Sequence, residues 1–124
     1  MKAAIIILSD PKSGSEEALG RVFNALAAAY DFEQKGDEVT VLFQGTGARW
    51  PGHLTDADHP AHGLYEAVKD TIAGVSAGCA AVFGGAEEAA AAGLDLISQN
   101  PVPGTPGLPS LQKLISDGYT VLTF

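Results

Sequence analysis

The sequence predicts one α/β/α domain built on a five-stranded parallel sheet, and three observations carry that prediction. Residues 3–8, Ala-Ala-Ile-Ile-Ile-Leu, form an aliphatic run without alternation, the pattern of a strand covered on both faces. Short apolar runs then alternate with stretches of helical spacing in the order β-α-β-α-(β)-α-β-α-β, which means parallel pairing, right-handed crossovers and helices on both faces. The 124 residues, 46% of them hydrophobic, fit one domain with one core, and no repeat or internal linker divides positions 1–124.

Each element has its own signal. After the first strand, residues 9–15 read as a polar turn, and Ser13-x-x-Glu16 as a capping box that starts a helix. Leu19, Val22, Phe23, Leu26, Ala27 and Tyr30 mark one face of that helix, and Gly36 is its stop. Residues 39–43 are the second strand. Gln44-Gly45-Thr46-Gly47-Ala48-Arg49-Trp50-Pro51 opens a loop that continues irregularly to about His62. Leu64, Ala67, Val68, Thr71 and Ile72 mark a second helix. Residues 74–78 are small and give little periodic support for a strand. Residues 79–84 and 87–92 have helix-forming composition, and 94–97 are a short strand. Residues 99–109 hold four of the seven prolines and form a stiff loop. Leu108, Leu111, Leu114 and Ile115 then share a helical face, Gly118 closes it, and 119–124 form the last strand. Ile5, Ile7, Val41, Phe43, Val121 and Leu122 are the expected sheet core, covered by Leu19, Phe23, Leu26, Leu111 and Leu114.

Charge and cysteine usage exclude several functions. Fifteen acidic side chains against seven basic ones give a formal charge of −8, which disfavours nucleic acid and anionic membranes because both need basic surface to displace counterions. A single cysteine makes no internal disulfide, and no run approaches the roughly 20 apolar residues needed to cross a bilayer. With no basic-then-apolar leader over residues 1–8, the expectation is a cytoplasmic domain.

In a parallel sheet the active crevice lies beyond the carboxyl ends of the strands. That rim collects Ser9 and Asp10, Gln44 and Gly45, Gly78 and Cys79, and Ser98 and Gln99. Cys79, the one thiol in the chain, stands where a strand gives way to a helix, a place where unpaired N–H groups and the helix dipole favour an anion and hence the thiolate that attacks sulfur. Its small neighbours Ala77, Gly78, Ala80 and Ala81 leave room for a sulfur donor. The competing reading is a buried cysteine acting as a small hydrophobe.

Four features together resemble the DsrE/DsrF-like family of sulfur-relay proteins: the aliphatic first strand running into a Ser/Gly turn and long helix, Val41-Leu42-Phe43-Gln44-Gly45, the segment Gly78-Cys79-Ala80-Ala81-Val82-Phe83-Gly84, and the closing Asp117-Gly118-Tyr119-Thr120-Val121-Leu122-Thr123-Phe124. The resemblance implies a flavodoxin-like three-layer fold and homotrimeric or homohexameric assembly. It implies a sulfurtransferase role in which Cys79 accepts sulfane sulfur as a persulfide and passes it to a partner thiol. Donors and acceptors would be proteins or low-molecular-weight persulfides, with no metal, nucleotide or flavin required. Ser9, Gln44, Gly45, Arg49 and Gly78 are the candidate binding residues around Cys79. Residues 49–62, rich in His and Asp, are an insertion relative to the relay members.

Other motifs have plainer readings. His53, His59 and His62 with Asp56 and Asp58 invite a metal, but the spacing matches no ligand signature, and a solvated loop in which Asp58 or His59 and Pro60 start the next helix is favoured. Residues 9–15 lack both phosphate-loop patterns and read as a capped turn. Arg49 is placed to hold an anion at the rim, and Trp50 to cover the crevice or an oligomer partner. Two further functions stay open: a small-molecule binder with FMN as its ligand, and a regulatory oligomer in which Cys79 is inert.

Overall fold

The computed structural model describes all residues, 1–124, and contains the five-stranded, all-parallel sheet. The elements in chain order are β1 (Lys2–Ile7), α1 (Glu16–Gln34), β2 (Glu38–Phe43), α2 (Trp50–Leu54), α3 (His62–Val68), β3 (Ile72–Ser76), α4 (Ala77–Phe83), α5 (Ala86–Ala91), β4 (Asp95–Ile97), α6 (Leu111–Ser116) and β5 (Thr120–Thr123). The strand order is β4-β3-β2-β1-β5. The first three crossovers step outward in one direction, and only the last returns across the sheet to place β5 beside β1.

That topology makes the three layers unequal. Ile5, Ile7, Val41, Phe43 and Val75 share one buried cluster with Val22 and Leu26 of α1, Tyr65 and Val68 of α3, Ala80 of α4 and Ala89 of α5. Alternation along the strands sends Ile6 and Leu42 to the opposite face, where the short helix α6 packs on β5. Val121 and Leu122 are only half-buried because β5 is an edge strand paired with β1 alone. On α1, Val22, Ala25, Leu26 and Ala29 form the buried stripe, while Phe23, one residue round the helix, is 37% exposed. Leu111 is exposed to the same extent, since α6 meets the sheet chiefly through Leu114.

Three local expectations are corrected. The cap of α1 is Ser15, whose Oγ accepts from the Ala18 amide at 3.1 Å, not Ser13. Pro11 starts a separate 3-10 turn over Pro11–Ser13, capped by the Asp10 carboxylate on the Lys12 amide at 2.9 Å, so the longer helix begins only after that turn has closed. Residues 44–62 are not irregular throughout: a 3-10 segment, Gly45–Arg49, runs into α2, burying Ala48, Trp50, Pro51 and Leu54. Residues 72–76 form a true strand, β3, between β2 and β4. Its small residues are required by the slot: Gly74 has φ of +152°, and a Cβ there would run into the Asp95 carbonyl of β4.

No helix is long and apolar enough to cross a membrane.

Candidate functional site

Cys79 lies on α4, immediately past the carboxyl end of β3. Ser76, the last residue of that strand and fully buried, caps the helix: its Oγ accepts from the Cys79 amide at 3.2 Å. The preceding amide, that of Gly78, donates to the Gly107 carbonyl at 2.7 Å. Two of the N-terminal amides expected to wait for an anion, those of Gly78 and Cys79, are therefore already engaged by the protein itself. Replacing Ser76 with alanine should cost about 1 kcal/mol of stability, read by urea unfolding, because it removes the cap and leaves the Cys79 amide without its partner.

Gly107 and Leu108 belong to the proline-rich segment that follows β4. An antiparallel bridge between Asn100 and Leu108 closes that segment into a strap lying over Gly78. The close approach needs glycine beneath it, since a Cβ at position 78 would meet Leu108 Cδ1 at 2.7 Å and the Gly107 carbonyl at 3.1 Å. Between the strap and the start of the 3-10 segment after β2 is a cleft of about 650 Å³. Cys79, Gln44 and Gly45 line it together, with Asn100, Ser110 and Gln112 from the strap and the start of α6. Cys79 is only 9% exposed, and what it exposes belongs to this cleft.

Gln44 is the unusual neighbour. It is 7% exposed, and its carboxamide makes no hydrogen bond inside the protein, although a helical segment begins directly after it. No side-chain N or O atom cut off from solvent lacks a partner, so the Gln44 carboxamide opens to the cleft with its donors and acceptor free for a ligand.

The other candidate residues divide differently. Gly78 supports the strap rather than lining the cleft. Ser9 and Arg49 are not brought to Cys79. The Ser9 carbonyl and Oγ accept from Trp50 Nε1 at 2.8 and 3.2 Å. The Arg49 guanidinium donates from Nε to the Phe83 carbonyl at 2.8 Å and from Nη1 to Asp10 Oδ1 at 3.0 Å. The turn amide of Lys12 and the Arg49 guanidinium together hold the Asp10 carboxyl below the usual carboxylate range. Arg49 thus ties the turn after β1 to the end of α4, and it lines a separate cleft of about 270 Å³ with Lys12, His53 and Glu88. Trp50 does not line the Cys79 cleft and is not available to another subunit, being 2% exposed inside its own core.

The histidines surround that tryptophan. The rings of His53 and His59 meet it edge-on at 6.2 and 6.1 Å. His62 Nδ1 sits 2.7 Å from the Leu54 carbonyl, and His59 Nδ1 accepts the Ala61 amide at 3.1 Å, helping to start α3. No group of three or more His, Cys, Asp and Glu side chains converges as a metal cage. Burial first, and the neighbouring His53 second, push the His59 pKa below its ordinary 6.5. The sign follows: with a depressed folded-state pKa, the contribution of neutral His59 is complete above about 6.5 and is lost as pH falls through the folded value. The melting temperature should fall between pH 7 and pH 5, and His59→Asn should reduce that fall when both proteins are scanned calorimetrically.

Sequence reasoning placed Cys79, Gln44 and Gly45 on one rim but missed Asn100, Ser110 and Gln112. The available signal was the run of prolines at 99–109, whose stiffness suits a wall as well as a connection.

Fold and site together define a parallel α/β/α protein with one thiol in an uncharged cleft over the carboxyl ends of β2 and β3. The chain is similar to an uncharacterized protein of Methanocaldococcus jannaschii, 29% identical over 122 residues that cover 98% of this chain and 94% of that one. No protein-family model matches the chain. No solved structure matches it either.

Proposed function

We propose that this protein is a sulfur carrier, a sulfurtransferase of the relay type, in which Cys79 takes sulfane sulfur as a persulfide and gives it to a partner thiol. The observation that carries the reading is the pairing of Cys79 with the unpartnered Gln44 carboxamide in one cleft at the carboxyl rim. The Cys79 thiolate attacks the outer sulfur of a donor persulfide, R–S–SH. The Cys79 Sγ–S bond forms, the donor's S–S bond breaks, and the donor leaves as its thiolate R–S⁻ with the bonding pair, leaving the outer sulfur as a persulfide on Cys79 Sγ. An acceptor thiolate reverses the exchange. A cytoplasmic setting, in which thiols stay reduced, suits a carrier with one cysteine. Intact-mass analysis after incubation with persulfide donors tests the reading: one added sulfur atom on Cys79 is expected, and no gain from any donor overturns it.

The carrier assembles as a trimer or hexamer in this reading. Support comes from apolar side chains left in solvent, Val82 at 70% exposure, Ile115 at 62% and Leu96 at 46%, because exposed apolar surface favours association. Light scattering at micromolar protein should give three or six times the chain mass; a monomer mass would remove the assembly from the proposal.

A further inference from the structure

The chemistry of the Cys79 cleft narrows the donor. None of its lining residues carries a charge. On a chain of formal charge −8, a divalent anion such as thiosulfate would enter without a cation to replace its water, which is costly. What the cleft offers instead is amide chemistry: the carboxamides of Gln44, Asn100 and Gln112 and the hydroxyl of Ser110. Each carboxamide presents both donors and an acceptor, the complement of a peptide group. Leu8, Leu108 and Leu111 supply apolar wall between them. A volume of about 650 Å³ is far more than one transferred sulfur needs, and it matches sites that hold a whole small ligand.

Resting on the sulfur-carrier reading, we propose that this cleft selects its donor by amide recognition: the persulfide is carried on an uncharged, amide-bearing thiol of peptide-like chemistry. Gln44 is the central contact, because its carboxamide makes no hydrogen bond inside the protein and is open to the cleft. Asn100 and Gln112, both exposed on the rim, meet the donor's outer amides. The transfer step is unchanged, with the amide-bearing thiol leaving as its thiolate.

The test measures the rate of sulfur gain on Cys79 against donor concentration for three donors. They are the persulfide of N-acetylcysteine amide, the persulfide of a blocked Gly-Cys-Gly peptide amide, and thiosulfate. Saturable loading by an amide donor, with thiosulfate at least tenfold slower and unsaturated, is expected. Saturation by the small amide points to a free thiol as source, and saturation by the peptide alone to a segment of a partner protein. Gln44→Met, close in shape but without the amide, should raise half-saturation about tenfold, the loss expected for one hydrogen bond left unmade. Gln112→Ala, at an exposed position that folding does not need, should raise it in the same direction by about threefold. Thiosulfate loading as fast as the amide donors, or half-saturation unmoved by both substitutions, overturns amide selection while leaving the carrier reading intact. No sulfur gain from any donor overturns both.

Discussion

Trp50→Ala is expected to lower the free energy of unfolding by about 3–5 kcal/mol, the largest effect of any single substitution considered for this chain. Trp50 is 2% exposed and belongs to the same cluster as Phe43, Val22 and Leu54, so truncation opens a cavity that several elements enclose. Its Nε1 also donates to the Ser9 carbonyl and Oγ, tying α2 to the turn after β1. Small domains hold only about 5–15 kcal/mol in total, so the variant should be close to unfolded at 37 °C. Trp50→Phe separates the two contributions. It keeps most of the packing and leaves the Ser9 acceptors without their donor, at about 1–3 kcal/mol. Urea unfolding of both variants reads the difference, and an unchanged stability in Trp50→Phe would mean that the hydrogen bonds contribute nothing.

Cys79→Ser is expected to abolish sulfur loading altogether while changing stability by no more than about 1 kcal/mol. The serine hydroxyl occupies nearly the same space, its backbone amide still reaches Ser76 Oγ, and the side chain borders a cleft from which water can satisfy it. Loss of fold would therefore not explain loss of sulfur gain. Arg49→Ala is the informative companion. Its guanidinium is committed to the Phe83 carbonyl and Asp10 and does not line the Cys79 cleft, so sulfur loading should match that of the unaltered protein. Intact-mass measurement of the three proteins with one persulfide donor compares them directly. A loaded Cys79→Ser variant would place the sulfur elsewhere and end the proposed mechanism.

The sequence by itself determined the elements whose signals are local and repeated. The unbroken aliphatic run of β1 could only be a strand covered on both sides, and the spacing of Leu19, Val22 and Leu26 could only be a helix with one apolar face. It also put Cys79, Gln44 and Gly45 on one rim, because parallel connections force the residues after β2 and β3 to the same edge of the sheet. The tertiary structure decided what composition leaves undetermined. Strand β3 has almost no periodicity and exists because neighbours on both sides supply its hydrogen bonds and leave room only for small residues. The α2 segment reads as loop because Pro51 and Gly52 stand together in it, yet burial of Trp50 and Leu54 outweighs the weak helical propensity of those two residues. Asp10 and Arg49 are 39 positions apart in the chain, and Cys79 and Ser110 are likewise far apart in it. Whether such pairs meet depends on which loops fold over which strand ends, a contact of long sequence separation that no local pattern encodes. The same reason explains why Arg49 became a tether between the turn after β1 and the end of α4, while the segment 99–109 became one wall of the Cys79 cleft.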